Sequence, residues 1–347
     1  MQYFQILFSK PNLPASPTPA TFMPSSSRRR HISTMKRTSK ALVTGGAGFI
    51  GSHLVQALLA QGTQVTVIDD MSNGLESNLD LFRDQITFIK ASIFDQTALN
   101  QAAEDCNTIF HLAAVSNVAQ TLEQPLFAHA INATGTMNVL EAARSTKSHL
   151  VFSSSAATYG DTLIVPTPEN APQNPISLYG SQKLLGEHYI RNYCHLFDLT
   201  AVCLRYFNVY GPRQRPDSPY SGVISIFTER ARQNLPITIH GDGLQTRDFI
   251  HVRDVVRANI AAAQATKIKG QAFNVCTGKS TSIKHLAELT INLTASTSEI
   301  SHSSPREGDI RSSFGIPDLA KSELNFKSET DFEEGLANLI TTNPNEM

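Results

Sequence analysis

The chain has 347 residues, of which 41% are hydrophobic and 17% charged, with 19 Gly, 17 Pro and a formal net charge of −1. That length suits about two domains, and the composition excludes a wholly disordered chain, a collagen-like repeat and a strongly basic nucleic-acid binder. No stretch stays apolar for long enough to span a membrane as a helix.

The charge is unevenly spread. Residues 1–40 hold seven of the 29 Lys and Arg and no Asp or Glu, which leaves 22 basic against 30 acidic residues in the remainder. The first 39 residues, through PNLPASPTPATFMPSSSRRR, carry no sustained periodicity and are expected to form a disordered, basic, Pro/Ser-rich leader. Arg and Ser without acids are marks of a transit peptide, but the prolines from Pro11 to Pro24 break an amphipathic helix. A leader without function, or an overlong start ahead of Met35, is therefore favoured over a targeting role. Cys106, Cys194, Cys203 and Cys276 form no CxxC and no metal-ligand spacing, so reduced thiols in a cytoplasmic protein, and no bound metal, are expected.

From Ala41 the chain alternates strand and helix. ALVTG is a short β-branched run. Phe49–Ala60 is a helix with an apolar stripe through Ile50, Leu54, Ala57 and Leu58, and QVTVID is the next strand. ITFIK, TIFHLAA and HLVFSSS read as further buried strands, with helices near Gln96–Ala103 and Asn132–Ser145. The expected fold is α/β, a doubly wound parallel sheet of Rossmann-like type with ligands at the carboxyl ends of its strands. Past Gly211, short strands (PITIH, QAFNVC) alternate with helices near Val223–Gln233, Arg253–Ala263 and Ile283–Leu293. The expected division is a dinucleotide-binding domain at 40–210 that also carries the catalytic residues. A smaller α/β cap at 211–345 binds substrate and returns a strand or helix to the first.

Between the first strand and helix, Thr44-Gly45-Gly46-Ala47-Gly48-Phe49-Ile50-Gly51 places glycines at 45, 48 and 51, a GxxGxxG. Gly45 is read as the tight turn, Gly48 as the point where backbone approaches a pyrophosphate, and Gly51 as close helix–sheet packing, with the helix N-terminus supplying N–H groups. Asp69 ends the second strand, where a carboxylate accepts from the adenosine ribose and repels a 2′-phosphate. The pattern points to a dinucleotide, and to NAD rather than NADP.

Tyr179-Gly180-Ser181-Gln182-Lys183 sets Tyr and Lys four apart on one helical face. A lysine ammonium there stabilises a tyrosinate and can bind the nicotinamide ribose, bringing a phenol of ordinary pKa near 10 toward use as a general base. Phe152-Ser153-Ser154-Ser155 ends a strand at the ligand edge, where a hydroxyl can bond both the tyrosine oxygen and a substrate hydroxyl.

TGGAGFIGSH, HLAA, SSSAATYG, YGSQK, LRYFNVYGPRQ, TRDFIHV and PREGDIR, in that order, resemble the extended short-chain dehydrogenase/reductases. Within that group they resemble the NAD-dependent sugar-nucleotide epimerases and dehydratases, most of all the UDP-hexose 4-epimerases. The resemblance covers nearly all of 40–345. It implies that Ser155, Tyr179 and Lys183 are the catalytic trio. It also implies that Gly45, Gly48, Phe49, Ile50, Gly51 and Asp69 hold NAD, with Asp70, Ala113, Asn132 and Tyr206 near it. One position departs from the pattern: where the family carries an acid that recognises adenine, Ala91-Ser92-Ile93-Phe94-Asp95 has Ser92. Its hydroxyl, helped by the Ile93 N–H, is expected to make a weaker contact with the base.

Dehydratases and decarboxylases of this group carry carboxylates in the segment that is Ser155-Ala156-Ala157-Thr158-Tyr159-Gly160 here, with alanine at both acidic places. Without those groups, each worth about 10²–10⁴-fold, what remains is oxidation and reduction at one carbon, the equipment of a 4-epimerase. The resemblance implies Arg247 and Arg306 as diphosphate clamps, Asn208 as a donor to diphosphate or sugar, and Asp309 as an acceptor from the nucleotide ribose. Tyr220–Ile224 is expected against the base, while Arg213, Asp248 and Glu307 are read as structural ion pairs. Ser313, small where some relatives carry Tyr, leaves room beside C2 for an acetamido group, so UDP-GlcNAc/UDP-GalNAc joins UDP-glucose/UDP-galactose as expected substrate. Another sugar-nucleotide epimerase, such as one for a uronic acid, a net oxidoreductase, and a silent NAD-binding scaffold are the alternatives. The resemblance implies a homodimer through helices around Leu122–Ser145 and Tyr179–Leu196, and neither nucleic acid nor membrane is an expected partner.

Overall fold

Apolar strands alternating with amphipathic helices assemble here into one parallel sheet. The computed structural model describes residues 39–214, 222–306 and 308–341; the leader, Tyr220, Ser221 and Glu307 lie outside them. The first half runs β1 (Lys40–Thr44), α1 (Phe49–Ala60), β2 (Gln64–Asp69), β3 (Ile86–Lys90), α2 (Gln96–Ala103), β4 (Thr108–His111), α3 (Val118–Glu123) and α4 (Pro125–His129). It continues through a π-turn (Ala130–Thr134) to α5 (Gly135–Thr146), β5 (His149–Ser155), α6 (Leu178–Phe197) and β6 (Ala201–Tyr206). The second half opens with β7 (Asn208–Tyr210), α7 (Val223–Arg232), β8 (Ile237–His240), β9 (Thr246–Arg247), β10 (Phe249–His251), α8 (Val252–Gln264) and β11 (Lys269–Val275). It ends with β12 (Thr281–Ser282), α9 (Ile283–Thr294), β13 (Ile300–Ser303), β14 (Ser312–Ser313), α10 (Asp318–Glu323) and α11 (Phe332–Thr341).

The main sheet has the order β11-β6-β5-β4-β1-β2-β3, parallel throughout. Alternate side chains enter two different cores. Ala41 and Val43 of β1 join Leu54, Leu58, Val255 and Ala262 from α1 and α8, while Leu42 joins Leu99, Leu140 and Ile190 from α2, α5 and α6. Burying one such Leu or Val contributes about 1.5–3 kcal/mol, so both faces of the sheet must be covered, which is what crossover helices do. Strand order reverses between β1 and β4, and the crevice opens at that point. A third core, with Ile224, Phe227, Ile237, Phe249, Leu286 and Leu336, holds α7, β8, β10, α9 and α11 together. Beside it, β9 pairs with both β12 and β14.

Three expectations need adjustment. ITFIK is not a buried strand: β3 is the sheet's last strand and its side chains are half-buried or exposed. TIFHLAA stops at His111, because the Ala113 N–H donates to the Thr44 side chain at 3.2 Å instead of continuing the ladder. The helix expected from Asn132 begins as a π-turn, and its regular part starts at Gly135.

Candidate active-site crevice

One crevice at the carboxyl ends of the strands is lined by Gly45, Gly48, Phe49, Ile50 and Gly51, by Asp69 and Asp70, and by Ser92, Ile93 and Ala113. The same crevice is lined by Ser153, Ser154, Ser155, Tyr179, Lys183 and Tyr206. Its loop is shaped by absent side chains. Gly45 has φ +71°, and a Cβ there would lie 2.7 Å from the Ala113 nitrogen. At Gly51 a Cβ would lie 2.1 Å from the Gly45 carbonyl oxygen, so only glycine lets α1 start this close to the turn. No side chain caps α1, and the N–H groups of its first turn, which have no partner within the helix, face an incoming anion. A pyrophosphate fits this cradle.

Asp69 is buried, and its two oxygens accept from the Ala47 and Met71 N–H groups at 2.9 Å each. Burial raises its pKa, against the pull of those two bonds. The carboxylate thus fixes the loop and keeps lone pairs for a ribose. Ser92 accepts from the Phe94 N–H at 3.2 Å, which orients its hydroxyl at the end of β3.

At the other end, Ser155 begins a short 3₁₀ turn, its Oγ accepting from the Ala157 N–H at 3.1 Å. That turn sits hard against α6, since a Cβ at Gly180 would be 2.5 Å from the Ala157 oxygen. Tyr179, next to Gly180, is thereby brought to hydrogen-bond Ser155. Lys183 is 3% exposed; its Nζ donates to the Ser153 carbonyl at 2.7 Å and lies 5.8 Å from the centre of the Tyr179 ring. Burial pushes the Tyr179 phenol up to about 12 and the Lys183 ammonium down to about 7. Desolvation is the largest influence on both groups, raising the phenol and lowering the ammonium.

Asn132 does not line the crevice. Its Oδ1 accepts from the Val115 N–H at 2.8 Å, and its Nδ2 donates to the Val115 carbonyl at 2.9 Å and to Gln182 at 2.7 Å, so it braces the wall from behind. His111, fully enclosed and held near pKa 3 by burial, bridges Thr44 (2.9 Å) and Thr136 (3.0 Å) as a neutral ring. Tyr206 lines the crevice, its hydroxyl bonded to Asn259.

Sequence reasoning missed the largest polar cluster beneath this site. Arg205 and Glu187 form a bidentate pair at 2.9 and 2.7 Å, with both side chains almost wholly buried. Arg205 also donates to the Tyr159 hydroxyl and the Glu169 carbonyl, and Tyr159 donates to Asn274 at 2.7 Å. An arginine inside the apolar run AVCLRYF was the signal, since a buried arginine requires a buried acid.

Four of the five residues expected around the sugar nucleotide, setting Ser155 aside, come together away from the crevice lining. Ser313 pairs with Arg247 across β14 and β9, Arg247 forms an ion pair with Asp309, and Asn208 donates through both its backbone N–H and its Nδ2 to the Asp248 carbonyl. Arg306 is exposed and contacts His240 at 3.1 Å. Asp248 is not part of an ion pair as expected. Its carboxylate accepts from the Thr277 N–H and Oγ1 and the Gly278 N–H, and burial raises it to about 6. Arg213 likewise bonds Ser52 and Gln56 rather than an acid. Among the described residues no cluster of His, Cys, Asp and Glu could hold a metal, and no helix is long and apolar enough to cross a membrane.

The profile of the NAD dependent epimerase/dehydratase family matches residues 41–276. A UDP-glucose 4-epimerase of Mycolicibacterium smegmatis is 38% identical over 306 residues, 87% of this chain and 97% of that protein. A UDP-N-acetyl-alpha-D-glucosaminuronate decarboxylase of Bacillus cytotoxicus is 36% identical over 273 residues, 76% and 83% of the two chains. Two solved structures share the fold at similar identity. The UDP-N-acetylglucosamine 4-epimerase of Methanobrevibacter ruminantium, in complex with UDP-N-acetylmuramic acid, gives a TM-score of 0.83 at 35% identity, covering 88% of this chain and 98% of that one. The UDP-glucose 4-epimerase of Thermus thermophilus, in complex with NAD, gives 0.79 at 32% identity, covering 87% and 97%.

Proposed function

The chain belongs to the NAD dependent epimerase/dehydratase family, and from that premise we propose that it interconverts UDP-hexoses at C4, with NAD as a resident cofactor. The observation that carries this reading is a combination. Ser155, Tyr179 and Lys183 converge on the dinucleotide crevice, while Ala156 and Ala157 beside them bring no carboxylate for elimination or decarboxylation. NAD, when bound in the crevice lined by Gly45, Gly48, Gly51 and Asp69, would supply the hydride acceptor. Tyr179 takes the C4 hydroxyl proton as tyrosinate and returns it to the 4-keto sugar after the sugar has turned. Ser155 holds the oxygen that changes between hydroxyl and ketone, and Lys183 supports the tyrosinate by its charge.

Arg247 and Arg306 bind the diphosphate, Asp309 the nucleotide ribose and Asn208 the diphosphate or sugar. Ser313 leaves space for a 2-acetamido group, so UDP-GlcNAc and UDP-GalNAc are substrates alongside UDP-glucose and UDP-galactose. The naming of a structure 35% identical as a UDP-N-acetylglucosamine 4-epimerase supports that choice. The active form is a cytoplasmic homodimer; apolar side chains left exposed on its helices, Leu122, Leu126 and Leu196 at 63%, 86% and 67%, support the pairing. The test is an NMR time course of purified protein with UDP-GlcNAc and no added cofactor. Appearance of UDP-GalNAc is the expected result; an unchanged spectrum in a sample shown to contain NAD, followed by none with UDP-glucose, refutes the reading.

A further inference from the structure

Three consecutive serines end β5, and each is taken by one residue of a single stripe on α6. Tyr179 bonds Ser155. One turn on, Lys183 donates to the Ser153 carbonyl at 2.7 Å. Another turn on, the Glu187 carboxylate accepts from the Ser154 hydroxyl at 2.6 Å. The four-residue spacing puts all three side chains on one helical face. Only the last rung has no role in chemistry, and it is the one held most firmly. Glu187 is fully enclosed, fixed by two bonds from Arg205 on β6 and one from Gln173 at 3.2 Å.

We infer that the Ser154–Glu187 bond is a positioning rung for proton transfer: it sets the registry of α6 on β5 and thereby the place of Lys183 and Tyr179 over the crevice. Arg205 balances the charge of Glu187, so the rung acts by geometry rather than by field. Lys183 depends on it most directly, because its one carbonyl acceptor is in the residue adjacent to Ser154. A helix free to slide lengthens that 2.7 Å contact and lets water reach the ammonium.

The inference rests on the proposed reaction for its kinetic readout and not for its chemical one. The variant is Ser154→Ala, which deletes one hydroxyl and leaves the Arg205–Glu187 pair in place; Ser154→Thr keeps the hydroxyl. Two measurements apply. The pH dependence of Lys183 modification by cyanate, read by peptide mass spectrometry, needs no turnover. Its midpoint in Ser154→Ala is expected to move up by at least about half a pH unit, as desolvation of the ammonium is relieved. Turnover of the sugar nucleotide is expected to fall at least about fivefold with KM within twofold, and Ser154→Thr to restore both readouts, since a lost rung of this kind is worth about 1 kcal/mol. A Lys183 midpoint that moves by less than this in Ser154→Ala overturns the inference whatever the turnover. So does a KM that rises in step with the loss of turnover. If the wild-type chain turns over no UDP-hexose, the proposed function fails, and the Lys183 titration alone decides the rung.

Discussion

The crevice and the cluster of Arg247, Asp309, Ser313 and Asn208, here called the strap, are built by opposite means. Around the crevice, position is set by backbone and by missing atoms: Gly45 and Gly51 let main chain approach main chain, and Asp69 bonds two backbone N–H groups. In the strap, position is set by side chains drawn from distant segments. Arg247, Asp309, Ser313 and Asn208 meet around Asp248, whose carboxylate also gathers Thr277 and Gly278. The first arrangement suits a ligand that stays. In the second, Arg247 and Asp309 satisfy each other's charge, which would suit a ligand that comes and goes, as the proposed function requires.

Removing chemistry without touching either support has the largest expected effect. Tyr179→Phe is expected to lower turnover by about 10³-fold while bound NAD, measured by absorbance after denaturation, stays at the wild-type level. Loss of NAD as well would place the tyrosine in the cofactor cradle. Next comes the pair beneath the site. Glu187→Ala leaves Arg205 buried and uncompensated, at a cost of about 3–5 kcal/mol in urea unfolding; a change below 1 kcal/mol would mean that water reaches the guanidinium.

Arg247→Ala separates the two regions directly. KM for the UDP-sugar is expected to rise about 10- to 100-fold, the worth of a charge-assisted bond, with NAD content unchanged. The smallest effect is in pH. Asp248 titrates near 6, so below that value it gives up an acceptor and the strap loosens. KM is expected to be about fivefold higher at pH 5 than at pH 7.5, one hydrogen bond's worth. The stability contribution has the opposite sign. A carboxyl whose folded pKa is raised favours the folded state fully below its unfolded value, and that contribution is lost as pH rises through 6. A KM that rises at acid pH without a parallel loss of stability from this group therefore identifies the strap, whereas a flat KM removes Asp248 from it.

What the sequence disclosed follows the same division. The glycine spacing, Asp69 and the Tyr179–Lys183 pair lie within continuous runs whose geometry is local, so their place at the carboxyl ends of the strands was legible. Glu187 and Arg205 sit on separate elements and meet only because α6 packs on the sheet, which no spacing reveals. The depressed Lys183 and raised Tyr179 were likewise invisible, since burial is a property of the assembled layers. Asn132 was placed near the cofactor, yet it props the Val115 segment from outside because the π-turn rotates it toward Gln182. Arg247 and Asp309 were read as independent ligands and are partners.

Strand β11 joins the sheet beside β6 only after the chain has passed through β7 to β10 and α8. During synthesis, the outer edge of β6 is therefore exposed from the moment it leaves the ribosome until residue 275 emerges. An unpaired parallel edge is a template for the wrong partner, and domains emerge at about 5–20 residues per second. The order of synthesis thus leaves β6 without its outer neighbour for several seconds at that rate, whereas β3 at the other edge never gains one.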